Sequence, residues 1–351
     1  MSQVLLFVHG QISWESAKHV LQALLQRGCQ PRIHFLQKNI FIEDSLKDIA
    51  QTLQVRREEL FNTPWSVMLA NDNVYKDPRL GKRLFYHHGS FTESDWTAYK
   101  IAGYSDIYCA ASTCEAELIR AKLTKPPTFA ITGSPRCDEL VRYRNLSRQA
   151  RADYQSTLRS KHKITKEKAV LITSHWSHRG SIPNYGISII RRIASALPGW
   201  QVLLTCHPKL WEELIDRTRY SNGPDIINAI RGLNSSESIR LVSPYSVPDA
   251  IMMSDLCVCD GISSIFLECL IAGKLVITRS VPVYSIHEVN ALVREAVVQY
   301  QNLEELETHL RCKMTSKLFD QCSVSDDLLT MIGGKSQESA KHIARLALEL
   351  L

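Results

Sequence analysis

The sequence has no long hydrophobic run: no stretch of 18 apolar residues occurs in its 351 residues. We therefore expect no transmembrane helix. The first apolar run, Val4–Val8, is too short for the hydrophobic part of a signal peptide and has no basic flank. These two features predict a cytosolic chain.

Several common catalytic motifs are also absent. There is no GxxxxGKS/T phosphate loop, and no GxGxxG follows the first apolar run, which argues against P-loop and NAD enzymes. Neither GxSxG nor HExxH occurs, and no DxD pair stands out as an anchor for metal and diphosphate. Any phosphate would then be met by Arg, His, hydroxyls and a helix N-terminus. We expect no required cofactor, with a divalent metal optional.

The ten cysteines are scattered, and no pair of CxxC motifs predicts a structural zinc site. A cytosolic chain is not expected to form disulfides. Cys257 and Cys259 would share one face of a short apolar strand, and we interpret them as small buried hydrophobes.

Positive charge is concentrated in one segment. The net charge is +6, and residues 142–168 contain nine Lys and Arg against Asp153 and Glu167. The simplest interpretation is a solvated helix face and a linker. The alternative is a surface for anionic lipid headgroups or an anionic polymer, worth ~1 kcal/mol per basic residue near a membrane. Nucleic acid is not expected, since there is no zinc-finger spacing and no RNA-binding aromatic motif.

The length of the chain favours two domains. Short apolar runs alternate with amphipathic helices up to Ile131 and again from Val170, which predicts an α/β fold with parallel sheets covered by helices on both faces. We place an N-terminal Rossmann-like domain at residues 1–140, a basic helical linker at 141–168, a C-terminal nucleotide-donor domain at 169–335 and a packing helix at 336–351. Loops from both sheets would line a shared cleft.

The predicted strands are four to five residues long in most cases and follow the apolar runs. They cover residues 4–8, 32–36, 83–86, 107–110, 128–131, 170–173, 202–205, 239–241, 256–259 and 275–278. Residues 43–60 are polar and predict helix with little sign of a strand. Polar motifs come directly after several of these strands, where open parallel sheets bind ligands.

The most informative of these motifs runs from Asp260 to Glu268. Ser263 and Ser264 lie at a predicted strand-to-helix turn, where unpaired N–H groups and the helix dipole favour an anion. Glu268, about one turn further, could reach a ribose or a second polar group. The alternative is that one of the serines simply caps the helix.

Two histidines follow predicted strands in opposite halves of the chain, in His88-Gly89 and His207-Pro208. A histidine can accept a proton from a hydroxyl or donate to phosphate oxygens. A lone histidine is more often structural, but the matching positions of these two favour a site.

Three weaker candidates complete the predicted site. Arg136 offers a planar guanidinium to phosphate, or forms an ion pair with Asp138 or Glu139. Thr173 opens a loop of hydroxyls, imidazoles and one guanidinium, which suits either phosphate or solvent. His9 and Gly10 follow the first strand and would border the same cleft.

The ordered set of motifs resembles the CDP-glycerol glycerophosphotransferases, a family that includes teichoic-acid primases, teichoic-acid polymerases and capsule polymerases. The resemblance covers the chain from about His88 to the end and rests on His88-Gly89, the segment from Gly133 to Asp138, His207-Pro208, the segment from Asp260 to Glu268, and Gly333-Gly334-Lys335-Ser336. It implies a GT-B-like fold with the donor in the C-terminal half. It also implies transfer of glycerol phosphate from CDP-glycerol to a hydroxyl, with release of CMP.

By this resemblance, His88 is the base for the acceptor hydroxyl and His207 supports the donor phosphates. Ser263 and Ser264 would hold the pyrophosphate, and Glu268 the ribose or glycerol hydroxyls. The chain departs from the family in three places, which bear on the polyol and the acceptor. Gly261-Ile262 replace a single residue, Tyr86-His87 replace a tryptophan, and Thr205-Cys206 replace an arginine.

The resulting hypothesis is a transferase of a polyol phosphate from a CDP-activated donor to a cell-wall or capsular polymer or a lipid-linked primer. It would act in the cytosol or at the inner face of the membrane, with peripheral contact through residues 142–168. One alternative is a GT-B glycosyltransferase that uses a nucleotide sugar. Another is a non-catalytic subunit that binds polymer or lipid. A nucleotide-sugar 2-epimerase shares the fold, but the expected Ser-Gly-Gly and acidic cluster are not seen.

Overall fold

The structure is a computed structural model, and it describes residues 3–37, 40–71, 77–87, 99, 101–175, 180–207, 230, 232–233, 238–243, 246–261, 263–281, 284–313 and 324–351. The chain divides into two units. Unit 1 comprises Met1–Val141 and Thr330–Leu351, and unit 2 comprises Arg142–Leu329. Each unit holds one six-stranded sheet.

Unit 1 contains a sheet in which every neighbouring pair of strands is parallel. Its strands are β1 (Val4–Val8), β2 (Arg32–Phe35), β3 (Val67–Ala70), β4 (Lys82–Tyr86), β5 (Ile107–Ala110) and β6 (Thr128–Ile131). They lie in the order β2-β1-β3-β4-β5-β6. The order reverses between β1 and β3, so the carboxyl ends of these strands form a switch point where open sheets bind ligands.

Helices cover the sheet of unit 1 and supply its core. The first four are α1 (Gln11–Leu25), α2 (Asp44–Leu53), α3 (Arg57–Asn62) and α4 (Thr113–Lys122). Helix α1 buries Trp14, Val20 and Leu24 in a cluster with the strand residues Leu6 and Leu69. This helix ends before Gly28, whose positive φ of 75° suits a residue without a Cβ.

Unit 2 repeats the parallel arrangement in its own sheet. Its strands are β7 (Ala169–Ser174), β8 (Gln201–Cys206), β9 (Ile239–Leu241), β10 (Leu256–Cys259), β11 (Leu275–Thr278) and β12 (Val297–Gln299). The order is β12-β11-β10-β7-β8-β9, which places the switch point between β10 and β7. The predicted α/β fold with two parallel sheets is confirmed.

The helices that follow α4 along the chain are α5 (Asp138–Asn145), α6 (Arg148–Lys161), α7 (Ser181–Tyr185), α8 (Ser188–Ala196), α9 (Val247–Met253), α10 (Ser264–Ile271), α11 (His287–Glu295), α12 (Leu303–Lys313), α13 (Asp326–Met331) and α14 (Ser339–Glu349). The core of unit 2 includes Ile189 and Ile193 of α8 together with Ile172, Leu204 and Val258 of the strands.

Helix α6 belongs to unit 2, although its residues were predicted to form a linker. The amide of Gln155 donates to the carbonyl of Met253 at 2.9 Å. The guanidinium of Arg159 donates to the same carbonyl at 2.7 Å and to the Asp255 carboxylate at 2.7 Å. These side chains satisfy carbonyl groups at the C-terminus of α9, where the helix dipole favours cations.

Helix α14 belongs to unit 1. Its N-terminus is capped by Asp138, whose carboxylate accepts from the backbone N–H groups of Ser339 at 3.0 Å and Ala340 at 3.1 Å. Ile343 and Ala347 are buried in the same cluster as α1. Unit 1 is therefore built from both ends of the described chain.

Two strands of the observed sheets are missing from the predicted set. Strand β3 is central in unit 1, and all four of its residues are buried. A strand buried on both faces has no alternating pattern. Strand β12 has three residues and is separated from the helix before it by Ala296 alone, so no turn signal marks its start.

Candidate functional site

The switch point of unit 2 brings together two of the predicted motifs. Strands β7 and β10 are hydrogen-bonded neighbours, so the residues that follow them lie at one edge of the sheet. Strand β7 ends with Thr173 and Ser174, and Asp260 follows β10 directly. The sequence-predicted donor residues Thr173, Asp260, Ser263 and Ser264 therefore surround one region of unit 2.

The N-terminus of α10 is arranged to receive an anion. Ser263 is the N-cap, and its hydroxyl accepts from the N–H of Ile265 at 3.3 Å. Ser264 is the first helical residue, and its hydroxyl makes no hydrogen bond within the described part of the chain. The first turn carries no acidic side chain. The serine that caps the helix is thus Ser263, and Ser264 remains available for a ligand.

Glu268 lies one turn into α10 and is fully buried. Two further polar groups are buried at the neighbouring strand ends. The hydroxyls of Thr173 and Thr205 have no hydrogen-bond partner among the described residues, and the two residues face each other in the register of β7 and β8. Buried hydroxyls are seldom left unpaired, so this row of side chains suits contact with an ordered water or a polar ligand group.

Asp260 is buried, and its carboxylate bonds to groups of the protein itself. It accepts from the backbone N–H of His175 at 2.8 Å and from the backbone N–H of Ser181 at 3.0 and 3.1 Å. The hydroxyls of Ser174, at 3.2 Å, and Ser181 also donate to it. Burial raises the pKa of Asp260, and these hydrogen bonds oppose that rise. Such contacts suit a residue that fixes the backbone around the site.

Ser181 also connects Asp260 to a residue that follows β12, at the edge of the sheet. Its hydroxyl lies 3.2 Å from the hydroxyl of Tyr300, which directly follows β12 and is fully buried. Burial raises the pKa of Tyr300 well above its usual value, so the phenol is neutral. Neither Ser181 nor Tyr300 was predicted as a site residue, since nothing local in the sequence links positions 79 and 119 residues apart.

Two imidazoles meet at the ends of β7 and β8. The ring centroids of His175 and His207 lie 5.6 Å apart with an interplanar angle of 62°. The backbone N–H of His207 donates to the carbonyl of Ser174 at 3.1 Å. His207 was a predicted site residue, whereas His175 was recognised as part of the polar loop that Thr173 opens.

A basic residue follows β11 at the same edge of the sheet. The guanidinium of Arg279 stacks on the ring of Tyr185, 5.2 Å from its centroid. The next residue, Ser280, has its carbonyl oxygen against Gly261, where a Cβ atom would overlap it. Arg279 directly follows the predicted strand at residues 275–278, and this position is the signal by which the sequence could have identified it.

Unit 1 has its own polar cluster at the switch point between β1 and β3. The backbone N–H of His9 donates to the Ser13 hydroxyl at 3.2 Å, and the Asn71 amide donates to the Ser13 carbonyl at 2.7 Å. A Cβ on Gly10 would overlap the side chain of Gln37. The predicted residues His9 and Gly10 therefore lie at the carboxyl-end edge of this sheet, and their role in ligand binding stays a prediction.

Arg136 is buried in a single 3₁₀ turn, Pro135–Cys137, after β6. The carboxylate of Asp138, one of its two predicted ion-pair partners, caps α14. The other predicted role of Arg136, binding phosphate, stays a prediction. The predicted base His88 and its neighbour Gly89 lie outside the described residues, as do Pro208 and Ile262.

Several basic residues of segment 142–168 make contacts inside unit 2. Arg144 donates to the Ile271 carbonyl at 3.1 Å, Arg159 binds Asp255, and Lys161 pairs with Asp249 at 3.2 Å. Arg142 and Arg148 are exposed. The predicted surface for lipid or polymer therefore has fewer basic side chains than the sequence suggested, and lipid binding stays a prediction.

The described residues contain no group of three or more His, Cys, Asp or Glu side chains that could hold a metal ion. Within the same part of the chain, no helix has both the length and the apolar character to cross a bilayer. Cys257 and Cys259 are buried in β10, and their thiol pKa values are raised. They are neutral parts of the core, as predicted.

No protein-family model and no curated protein sequence matches the chain. Solved structures do match it. S. aureus MnaA in a co-structure with UDP has a TM-score of 0.65 and 12% identity, covering 100% of this chain and 98% of that chain. The wall teichoic acid polymerase TagF has a TM-score of 0.66 and 14% identity, covering 99% and 89%. UDP-GlcNAc 2-epimerase from Neisseria meningitidis, bound to UDP-GlcNAc, has a TM-score of 0.60 and 12% identity, covering 99% and 100%.

At these identities the similarity establishes the fold. The chain has a GT-B-like fold of two Rossmann-type α/β units, as the order of its sequence motifs predicted.

Proposed function

We propose that this chain is a transferase that moves glycerol phosphate, or a related polyol phosphate, from a CDP-activated donor to a hydroxyl of a polymer or lipid-linked acceptor. The observation that carries the proposal is the N-terminus of α10 at the switch point of unit 2. There the hydroxyl of Ser264, which has no hydrogen-bond partner among the described residues, and the helix N–H groups would form an anion site. The diphosphate of a nucleotide donor is an anion of suitable size.

The residues around this site would bind different parts of the donor. Ser263 and Ser264 would hold the diphosphate, and His207, at the end of β8, would donate to its oxygens. Glu268, Thr173 and Thr205 would accept from or donate to ribose or polyol hydroxyls. Phosphoryl transfer depends mainly on positioning and on neutralising charge. The hydroxyls and Glu268 would supply the positioning, and His207 with the N–H groups of α10 would stabilise the phosphate charge.

His88 would take the proton of the acceptor hydroxyl, as the resemblance to the glycerophosphotransferases implies. General-base help of this kind contributes ~10²–10⁴-fold to rate. Arg136, His9 and Gly10 belong to unit 1, which the same resemblance makes the acceptor side. The acceptor would be a cell-wall or capsular polymer or a lipid-linked primer.

Among the structural neighbours, a variant of TagF was soaked with CDPG; its TM-score is 0.64 at 12% identity, covering 99% of this chain and 88% of that chain. This neighbour supports a CDP-linked donor. Two others carry UDP or UDP-GlcNAc, which favours a second candidate function, a GT-B enzyme acting on a nucleotide sugar. The two candidates differ in the product, CMP or a nucleoside diphosphate.

Isothermal titration calorimetry with CDP-glycerol, CDP-ribitol, CMP and UDP-sugars tests the proposal. We expect selective binding of a CDP-polyol that is weakened in both Ser264→Ala and His207→Ala. Preference for a UDP-sugar would replace the proposal with the glycosyltransferase candidate. Absence of binding to every nucleotide would overturn both.

Release of CMP in the presence of acceptor tests the catalytic role. His88→Ala should retain donor binding and lose turnover. If instead charge reversal at Arg142 and Arg148 abolished function while His88→Ala and His207→Ala did not, the chain would be a binding subunit for polymer or lipid.

A further inference from the structure

One buried carboxylate holds both ends of the loop at residues 175–180. Asp260 accepts from the backbone N–H of His175 at the start of this loop and from the backbone N–H of Ser181 directly after it. Gly180 lies close to His175, because a Cβ on Gly180 would overlap the carbonyl oxygen of His175. Asp260 therefore determines where the backbone of His175 lies.

The fixed backbone places the His175 ring against His207. The centroids are 5.6 Å apart, and the rings meet at 62°. His207 is anchored independently, since its backbone N–H donates to the carbonyl of Ser174 at the end of β7. Main-chain hydrogen bonds thus fix the backbone of both histidines where their rings lie side by side.

This pair lies at the edge of the sheet that also carries the N-terminus of α10. Strands β8, β7 and β10 are consecutive in the sheet, so His207, His175 and the turn that leads to Ser264 follow neighbouring strand ends. Imidazole N–H groups donate strongly to phosphate oxygens. A ligand with two linked phosphates could contact the imidazoles through one group and the helix N-terminus through the other.

We propose that Asp260 is a positioning residue that fixes His175 beside His207, and that the two imidazoles together bind the diphosphate of the nucleotide donor. The identity of the ligand rests on the proposed function. The pairing of the two histidines and the role of Asp260 go beyond it. His175 becomes a binding residue, and Asp260 acts on the donor through His175 instead of touching it.

Calorimetry with CDP-glycerol, CDP and cytidine tests the pair in the full-length protein. We expect His175→Ala to weaken CDP and CDP-glycerol by about tenfold or more, as for a lost hydrogen bond to a charged group, and to leave cytidine within about twofold. The double variant with His207→Ala should lose less than the product of the two single losses, because residues in contact are coupled. His309→Ala, which removes an imidazole from α12, is the matched control and should change nothing.

Two results would overturn the proposal that His175 and His207 bind the diphosphate together. In the first, His175→Ala binds CDP and CDP-glycerol as tightly as His309→Ala does. In the second, His175→Ala weakens cytidine binding as much as CDP binding. If Ser264→Ala still weakens CDP-glycerol in either case, the proposed function stands without this inference. If the wild type binds UDP-sugars instead, the same variants titrated with UDP and uridine decide the inference while the proposed function falls. A wild type that binds no nucleotide overturns both.

NMR of the ring ¹⁵N nuclei separates positioning by Asp260 from a general loss of stability. In the wild type, CDP should shift the resonances of both His175 and His207. In Asp260→Asn, which keeps the size of the side chain, CDP should shift His207 alone, and cytidine affinity should be retained. Ser181→Ala, which removes one O–H donor to Asp260, should give a weaker effect of the same kind. Unchanged His175 shifts in both variants would overturn the positioning role.

Discussion

The ammonium group of Lys274 and the phenol of Tyr143 form a buried pair in unit 2. The Nζ atom donates to the Tyr143 hydroxyl at 2.8 Å and lies 4.5 Å from the centroid of its ring. The carbonyls of Met252, at 3.0 Å, and Ser254, at 2.7 Å, accept from the same group. Lys274 therefore connects α5 to the C-terminus of α9.

Because Lys274 is buried, we expect the free energy of unfolding to rise with pH in the alkaline range. Burial lowers its pKa from the ordinary value of 10.5 to about 8. Between these values the unfolded chain binds the proton and the folded protein does not, so the free energy of unfolding rises with pH. The rise attributable to this residue is roughly 3 kcal/mol. Urea unfolding at pH 7.5, 9 and 10 should show it as a difference between the wild type and Lys274→Met.

The comparison must be a difference between proteins, because the buried thiols of Cys257 and Cys269 have raised pKa values and act in the opposite direction. If the stability of both proteins changed with pH in parallel, the lowered pKa of Lys274 would be contradicted.

The two serines at the start of α10 should respond differently to substitution. Ser263→Ala removes the N-cap and should lower the free energy of unfolding by about 1 kcal/mol. Ser264→Ala should change stability by less than about 0.5 kcal/mol and weaken CDP-glycerol binding by about tenfold. Thermal unfolding of both variants measures the change in stability, and calorimetry measures the change in CDP-glycerol binding. Equal effects on stability would mean that both hydroxyls serve the fold.

Arg159 should be the most important basic residue of segment 142–168 for stability. Its guanidinium is mostly buried against Asp255 and the Met253 carbonyl, so Arg159→Ala leaves the Asp255 carboxylate without its cation and the Met253 carbonyl with fewer donors. We expect a loss of about 2–3 kcal/mol in the free energy of unfolding. Arg148→Ala, at an exposed position of the same helix, is the control and should stay within about 0.5 kcal/mol. Similar results for the two variants would contradict the docking role of α6.

Gly261 should not tolerate a side chain. A Cβ there would overlap the Ser280 carbonyl oxygen, so Gly261→Ala must displace backbone at the ends of β10 and β11. We expect destabilisation of about 1–3 kcal/mol and a loss of nucleotide binding. Gly232→Ala, where no atom of the described residues lies within 4 Å of the added atom, should be neutral or slightly stabilising. Circular dichroism melting curves of the two variants decide the matter.

Local patterns predicted most of the fold. Strand β10 and helix α10 were predicted because a short apolar run, a turn and an apolar helix follow one another within 16 residues, Leu256–Ile271. Strand β3 was missed although, like β10, it is a four-residue apolar run that is buried throughout. Met, Leu and Ala are good helix formers, so Met68, Leu69 and Ala70 give no strand signal of their own.

The candidate site was predictable only in its local parts. Ser263, Ser264 and His207 follow predicted strands, and their positions needed no knowledge of strand order. The contact of His175 with His207 needs β7 and β8 to be neighbours, which a single sequence does not reveal. The four donors around Asp260 come from residues 79 to 86 positions away, so its positioning role has no local signal.

The cap that Asp138 places on α14 joins residues 201 positions apart. A ribosome makes every residue of unit 2 before it makes Ala340, Ile343 and Ala347, which complete the core of unit 1. The unit that begins first in synthesis is therefore finished last. During translation, the apolar face of α1 therefore lacks its partner helix α14 until after all residues of unit 2 have been made.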